Sequence, residues 1–139
     1  MENTHMEIKV SFPGGKKVNA EFNGMLVKTD QPPKYGGEGS APSPFDFFLS
    51  SIGTCAGIFV LSFCQERKIP TEGLSITQRV LYVPDEAGKP VLDAIALDIH
   101  VPPGFPEKYH KAIIKVADQC AVKKAIMNPP KFEVKTVVG

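Results

Sequence analysis

The chain has 139 residues, of which 42% are hydrophobic and 22% charged, and its formal net charge is +1 at pH 7. A chain of this length can bury one core of its own, so we expect a single domain over residues 1–139. The near-neutral charge provides no field that would attract nucleic acid or an anionic membrane surface, and neither partner is expected.

The first thirty residues predict an antiparallel β-meander. Apolar and polar residues alternate over 8–12, and Pro13-Gly14-Gly15 turns the chain into a second alternating run over 18–22. Asn23-Gly24 is a strong two-residue turn signal, and residues 25–27 continue into a third strand.

A long loop and a long helix follow the meander. Residues 30–44 contain four prolines and three glycines without hydrophobic periodicity, which is typical of a functional loop. Ser43 followed by Pro44 predicts a helix start, and Asp46 lies in the first turn, where the helix dipole favours a carboxylate. We expect a helix over about 44–67 that is apolar almost all round and therefore central and buried.

The apolar stretch from Phe45 to Cys64 is long enough to raise the question of a membrane span. Polar and small residues interrupt it, among them Asp46 and Ser50, and these favour a buried helix of a soluble protein. Residues 1–10 are mixed polar and show no secretory signal, so a cytoplasmic location is expected.

The second half of the chain predicts two more strands, a helical region and a last strand. The strands cover residues 74–83 and 91–101, and apolar residues recur at helical spacing from Pro106 onwards, with Cys120 on the core side. Alternation over 132–136 predicts a final strand. The order βββ-α-ββ-α-β describes an α+β domain with antiparallel sheets around a buried central helix.

Three cysteines, Cys55, Cys64 and Cys120, are the candidate reactive groups. Cys55 and Cys64 lie on one predicted helix about 13 Å apart along its axis, too far to form a disulfide. Cys120 could pair with either, and all three could equally be buried small hydrophobic residues. Small neighbours such as Gly53 and Gly57 favour access to Cys55. Cys120 lies at the expected start of a short helix and precedes two lysines, and a helix start and nearby ammonium groups both lower the pKa of a thiol.

Two segments carry a family resemblance. Ala41-Pro42-Ser43-Pro44-Phe45-Asp46-Phe47-Phe48-Leu49, running on to Ile52-Gly53-Thr54-Cys55, resembles the proline-capped central helix of the OsmC/Ohr family of osmotically induced and organic hydroperoxide resistance proteins. Ala117-Asp118-Gln119-Cys120-Ala121-Val122 resembles the segment that carries the second cysteine of that family.

The resemblance implies an intertwined homodimer and a thiol peroxidase. By analogy, Cys55 attacks an organic or hydrogen peroxide and becomes a sulfenic acid, which Cys120 resolves as an intrachain disulfide. An external dithiol then restores both thiols, and no bound cofactor or metal is implied, because the chain has no dinucleotide signature or metal-ligand spacing.

The chain departs from the family in the groups that activate the thiol. Relatives use an arginine from the N-terminal sheet and a glutamate at the start of the central helix, and neither is present here. Asp46 at the helix start and Glu38 in the glycine-rich loop are the candidate carboxylates, and Arg79 and Lys123 are among the candidate cations.

Two other functions are compatible with the sequence. The first is an OsmC-like dimer that binds a small apolar ligand at its interface without peroxidase turnover, and the second is a thiol sensor that acts through a partner. Cys64 is expected to be inert in each case, because a core position explains it.

Overall fold

The computed structural model describes residues 5–139, and the chain divides into two compact units, residues 1–50 and 51–139. The expectation of a single domain over residues 1–139 stays a prediction.

The first unit begins with the predicted meander. Strands β1 (Lys9–Gly14), β2 (Lys17–Phe22) and β3 (Met25–Thr29) pair antiparallel in the order β1-β2-β3. Asn23 and Gly24 adopt positive φ angles of 48° and 73°, as a two-residue hairpin turn between β2 and β3 requires. The prediction of three strands here is confirmed.

A buried carboxylate holds the loop that follows β3. Asp30 is only 1% exposed, and its carboxylate accepts hydrogen bonds from the Gln31 N–H at 2.7 Å and from the Ser40 hydroxyl at 2.6 Å. The Ser40 hydroxyl, followed by the Gln31 N–H, lowers the pKa of Asp30 to about 2. The loop also passes close to its own backbone, because a Cβ on Gly37 would collide with the Gln31 carbonyl group. Residues 30–40 therefore form an ordered structure.

Helix α1 (Pro44–Glu66) starts where the sequence predicts. The Ser43 hydroxyl accepts the Asp46 N–H and the Asp46 carboxylate accepts the Ser43 N–H, both at 3.2 Å. This reciprocal capping satisfies two backbone donors at the helix start. The helix is 23 residues long and contains an 18-residue window with a mean hydropathy of 1.9, so it would also suit a membrane span, but only by length and composition.

Helix α1 is apolar almost all round, as predicted, and the single chain buries one side of it. Its buried residues are Ile52, Ala56, Val60, Phe63 and Cys64. Ile58 is 54% exposed and Phe59 is 37% exposed. The neighbouring elements of the second unit cover one side of the helix, and no element of that unit covers the other side.

The second unit contains one hairpin and the helices that pack on it. Strands β4 (Ser75–Pro84) and β5 (Pro90–His100) pair antiparallel, and helices α2 (His110–Ala117) and α3 (Ala121–Met127) follow. Its core brings together residues from α1, α2 and the segment before α2: Ala56, Val60, Phe63, Cys64, Phe105, Ile113 and Ala117. The α+β class with antiparallel sheets is confirmed.

The predicted last strand over 132–136 does not form in this chain. Residues 131–139 carry no secondary structure, and Phe132 and Val134 are 86% and 96% exposed. A strand is stabilised by the ladder of hydrogen bonds to a neighbour, and alternation alone does not supply that neighbour. The element order of the chain is therefore βββ-α-ββ-αα.

Candidate functional site

Two of the three cysteines meet in the second unit. Cys55 lies on α1 and is half-buried, and Cys120 is the residue immediately before α3 and only 2% exposed. The Cys120 thiol donates a hydrogen bond to the Ile52 carbonyl oxygen at 3.8 Å, and it is among the groups that lower the pKa of Cys55. Of the two disulfides that sequence reasoning left open, this arrangement favours the pair of Cys55 and Cys120.

Backbone N–H groups at the start of α3 stabilise a thiolate at Cys55. The Val122 N–H is the largest influence that lowers the pKa of Cys55, followed by the Cys120 thiol and then by the Ala121 N–H, while burial opposes them. A thiolate is the nucleophilic form of cysteine, so the lowered pKa favours reaction at neutral pH. Sequence reasoning looked for a charged side chain in this role and missed the backbone donors. The predicted break at Cys120 was the available signal, because the first N–H groups of a helix have no partner within it.

Cys64 has the opposite environment. It is fully buried in the core, and this burial raises the pKa of its thiol, although Arg67 lowers it to a smaller extent. The Arg67 guanidinium lies 3.7 Å from the centre of the Phe63 ring beside it. The surroundings therefore favour a neutral, inaccessible thiol.

The two candidate carboxylates, Asp46 and Glu38, belong to the first unit. Asp46 caps α1 and precedes Cys55 by nine residues on the same helix, which corresponds to about 13 Å along the axis. Glu38 forms an ion pair of 3.2 Å with Lys17, and its side chain is 72% exposed. Both residues thus have structural contacts of their own.

Two of the candidate cations are already paired with carboxylates. Arg79 makes a bidentate contact with Asp98 at 2.9 and 3.2 Å, and this hydrogen-bonded pair lowers the pKa of Asp98. Lys123 hydrogen-bonds to Asp118. Neither Arg79 nor Lys123 is among the groups that lower the Cys55 pKa.

The glycines near Cys55 serve packing within the chain. A Cβ on Gly53 would collide with the side-chain oxygen of Gln78 on β4, and one on Gly57 would lie 3.9 Å from the Ile76 side chain. The Gln78 side chain of β4 therefore occupies the space that a side chain at position 53 would need, whereas Gly57 is in ordinary van der Waals contact with Ile76.

A groove of about 990 Å³ opens beside Cys120. One wall is β5, with Leu92 and Ile95, and the others are α2 and α3, with Ile113 and Met127. The structure describes all three cysteines, and Cys120 is the one that lines the groove. Pockets of this size with mostly apolar walls are typical of small-molecule sites.

Comparison with known structures supports the same fold. The chain aligns with a Psychrobacter arcticus protein ascribed to osmotic stress and detoxification at 20% identity and a TM-score of 0.67, over 90% of each chain. An organic hydroperoxide resistance protein OsmC from Legionella pneumophila is 24% identical, with a TM-score of 0.58 over 91% of each chain. An organic hydroperoxide resistance protein from Elizabethkingia anophelis is 20% identical, with a TM-score of 0.58 over 92% of this chain and 93% of the other.

No curated protein matches the chain. The family model described as OsmC-like protein matches residues 37–135, which include α1, the β4–β5 hairpin and both cysteines of the close pair. This match spans well over half of the sequence. The chain therefore belongs to the OsmC-like protein family.

Proposed function

We propose that the protein is a thiol peroxidase that reduces organic or hydrogen peroxides through Cys55 and Cys120. The observation that carries the proposal is that the Cys120 thiol and the backbone N–H groups at the start of α3 all lower the pKa of Cys55. The family and the names of its structural neighbours support a role related to peroxides and oxidative stress.

The proposed cycle begins at Cys55. Its thiolate attacks one peroxide oxygen, the O–O bond breaks, and the alcohol or water leaves with a proton from solvent, so that Cys55 becomes a sulfenic acid. The Cys120 sulfur then attacks the Cys55 sulfur, and hydroxide leaves with the thiol proton as water. The resulting disulfide holds two oxidising equivalents, and an external dithiol removes them while it is itself oxidised to a disulfide.

The N–H groups of Val122 and Ala121 replace the activating arginine of the relatives in this proposal. They stabilise the negative charge of the thiolate before the reaction and require no cation beside the sulfur. Asp46 and Glu38 stay candidates for a contribution from a second subunit. No step of the cycle needs a bound cofactor or metal.

A homodimer in the cytoplasm completes the proposal. The exposed residues Ile58 and Phe59 of α1 make an apolar face, and exposed faces of this kind commonly mark protein contacts. The alternating segment 132–136 also has apolar residues that a second subunit would cover. A reducing compartment would keep the thiols ready for the next peroxide.

The apolar groove favours a second candidate function, the binding of a small apolar ligand without turnover. The two functions make different predictions for the cysteines. Peroxide consumption in the presence of a dithiol should fall to background in Cys55→Ser and stay near the wild-type rate in Cys64→Ser. Consumption that is absent in the wild type, or that survives in Cys55→Ser, would refute the peroxidase and favour the binding function.

A further inference from the structure

An irregularity of the β4–β5 hairpin places one acidic residue at the groove of the second unit. Leu81 pairs with Ala94 and the next residue, Tyr82, pairs with Leu92, so that Asp93 has no partner on β4. Two residues of β5 thus face one residue of β4, which is the pattern of a β-bulge. Bulges redirect the side chain of the extra residue and are frequent beside functional sites. Asp93 is exposed and lines the groove.

The other acidic residues of the lining are neutralised by neighbouring cations. Asp98 makes its bidentate contact with Arg79, and Asp118 accepts a hydrogen bond from Lys123. Among the ion pairs of residues 5–139, none involves Asp93. The lining of the groove therefore has one uncompensated negative charge, and it lies at the bulge.

The walls beside Asp93 are apolar and open to solvent. Ile114, Ile126 and Met127 line the groove and are 61%, 45% and 69% exposed. Exposed apolar side chains that gather in one concave place commonly mark a binding site. A hydrocarbon chain in the groove would remove these side chains from water.

The uncompensated charge and the apolar walls together indicate one class of ligand. We propose that the groove binds a small molecule with an apolar chain and a cationic head group, and that the head group lies at Asp93. The cation would give the carboxylate a counter-charge that the chain itself does not provide. The inference rests on the second candidate function, the binding of a small ligand, and needs no reaction at Cys55 or Cys120.

The first test compares three probes that share an octyl chain and differ in the head group: octyltrimethylammonium, 1-octanol and octane-1-sulfonate. Each is added below its micelle concentration to protein with labelled isoleucine methyl groups, and NMR shifts give both the affinity and the site. The pH is 8, where histidine side chains are ordinarily uncharged, because His110 also lines the groove.

We expect the cation to shift the methyl signals of Ile114 and Ile126 and to leave that of Ile58 on α1 unchanged. Its affinity should exceed that of the alcohol by about fivefold, as expected for one opposite charge close to a carboxylate, and the sulfonate should bind most weakly. Equal affinities for cation and alcohol would overturn the proposal and leave the binding function standing. Absence of any shift at Ile114 and Ile126 would overturn both, as it would if a second copy of the chain filled the groove.

The second test assigns the charge to Asp93. Asp93→Asn should lower the affinity for octyltrimethylammonium about fivefold and leave that for 1-octanol unchanged. Glu86→Gln is the matched control, because Glu86 lies in the exposed turn of the same hairpin and outside the lining, and it should change neither affinity. Asp93→Lys should make the sulfonate bind more tightly than the cation. Undiminished affinity for the cation in Asp93→Asn would overturn the proposal.

Discussion

The Cys120 thiol lowers the pKa of Cys55, although the two residues are 65 positions apart in the sequence and only Cys55 lies within a helix. Cys55 is on α1, and Cys120 stands at the break between α2 and α3, so the contact depends on how these helices pack in the second unit. The Val122 N–H, which lowers the pKa of Cys55, follows the same break by two residues. One local feature of the chain therefore supplies both the second sulfur and the stabilisation of the thiolate.

The lowered pKa of Cys55 predicts reaction with iodoacetamide at a lower pH than an ordinary thiol. Because only the thiolate reacts, the rate should reach half its maximum at a lower pH than that of a short cysteine peptide measured under the same conditions. Cys120→Ala removes one of the groups that lower the pKa, so its midpoint should move to higher pH. A wild-type midpoint at or above the ordinary value would contradict the arrangement. Measurements in a Cys64→Ala background exclude the third thiol.

Cys64→Ala should leave redox behaviour unchanged. Cys64 is fully buried and its pKa is raised, so the thiol is neither accessible nor ionised near neutral pH. Cys64→Ser places a hydroxyl in the core and should cost about 1–3 kcal/mol in the free energy of unfolding. Urea denaturation of both variants measures their free energy of unfolding, so that a loss of stability can be distinguished from a loss of redox activity. Loss of peroxide consumption in a folded Cys64→Ala protein would show that Cys64 has a role beyond packing.

The buried Asp30 predicts an acid-sensitive loop. Its pKa is depressed from 3.8 to about 2, so its contribution to stability is present above about pH 4 and is lost as the pH falls through 2. The protection of the backbone amides over residues 31–42 against hydrogen exchange, relative to the intrinsic exchange rate at each pH, should therefore fall between pH 4 and 2. Asp30→Asn should show fast exchange already at pH 6, whereas Glu86→Gln, a change in an exposed turn, should not. Slow exchange in Asp30→Asn would contradict the role given to this carboxylate.

Two adjacent isoleucines on α2 provide a test of the core. Ile113 is 2% exposed and Ile114 is 61% exposed. Ile113→Ala should reduce the free energy of unfolding by about 2–5 kcal/mol, because it leaves a cavity in the core. Ile114→Ala should change it by no more than about 0.5 kcal/mol. Equal losses in urea denaturation would mean that Ile114 is covered in solution.

The exposed apolar face of α1 predicts self-association. Ile58 is 54% exposed, and a carboxylate at this position would be buried without a partner in a dimer. Light scattering should give the mass of a dimer for the wild type and for Ile58→Leu, and that of a monomer for Ile58→Glu. A wild-type monomer at the same concentration would argue against the homodimer.

Local patterns predicted most of the elements. The turn at Asn23-Gly24 requires positive φ angles that few residue pairs adopt, and Ser43-Pro44 fixes the start of α1, so both appear where the sequence places them. The prediction of a last strand over 132–136 was wrong, because the alternation of apolar and polar residues describes the two faces of a strand and not the neighbouring strand with which it pairs. The sequence of α1 is apolar on nearly all sides, so it likewise does not indicate which side of the helix the rest of the same chain covers.

The sequence predicted the cysteines of the candidate site but not the groups that lower the Cys55 pKa. The cysteines could be identified by residue type, and their family context suggested the pair. The activating groups were sought among charged side chains, but Arg79 is held by Asp98, and the groups that act are backbone N–H donors. Every residue except proline carries such a donor, so its position becomes visible only when the helices are packed.

The most direct measurement is peptide mapping by mass spectrometry after one equivalent of cumene hydroperoxide is added to the reduced protein. We expect a rapid disulfide between Cys55 and Cys120, none in Cys55→Ser, and a trappable sulfenic acid on Cys55 in Cys120→Ser. Thiols that stay reduced, or that oxidise only over hours and regardless of Cys55, would contradict this expectation.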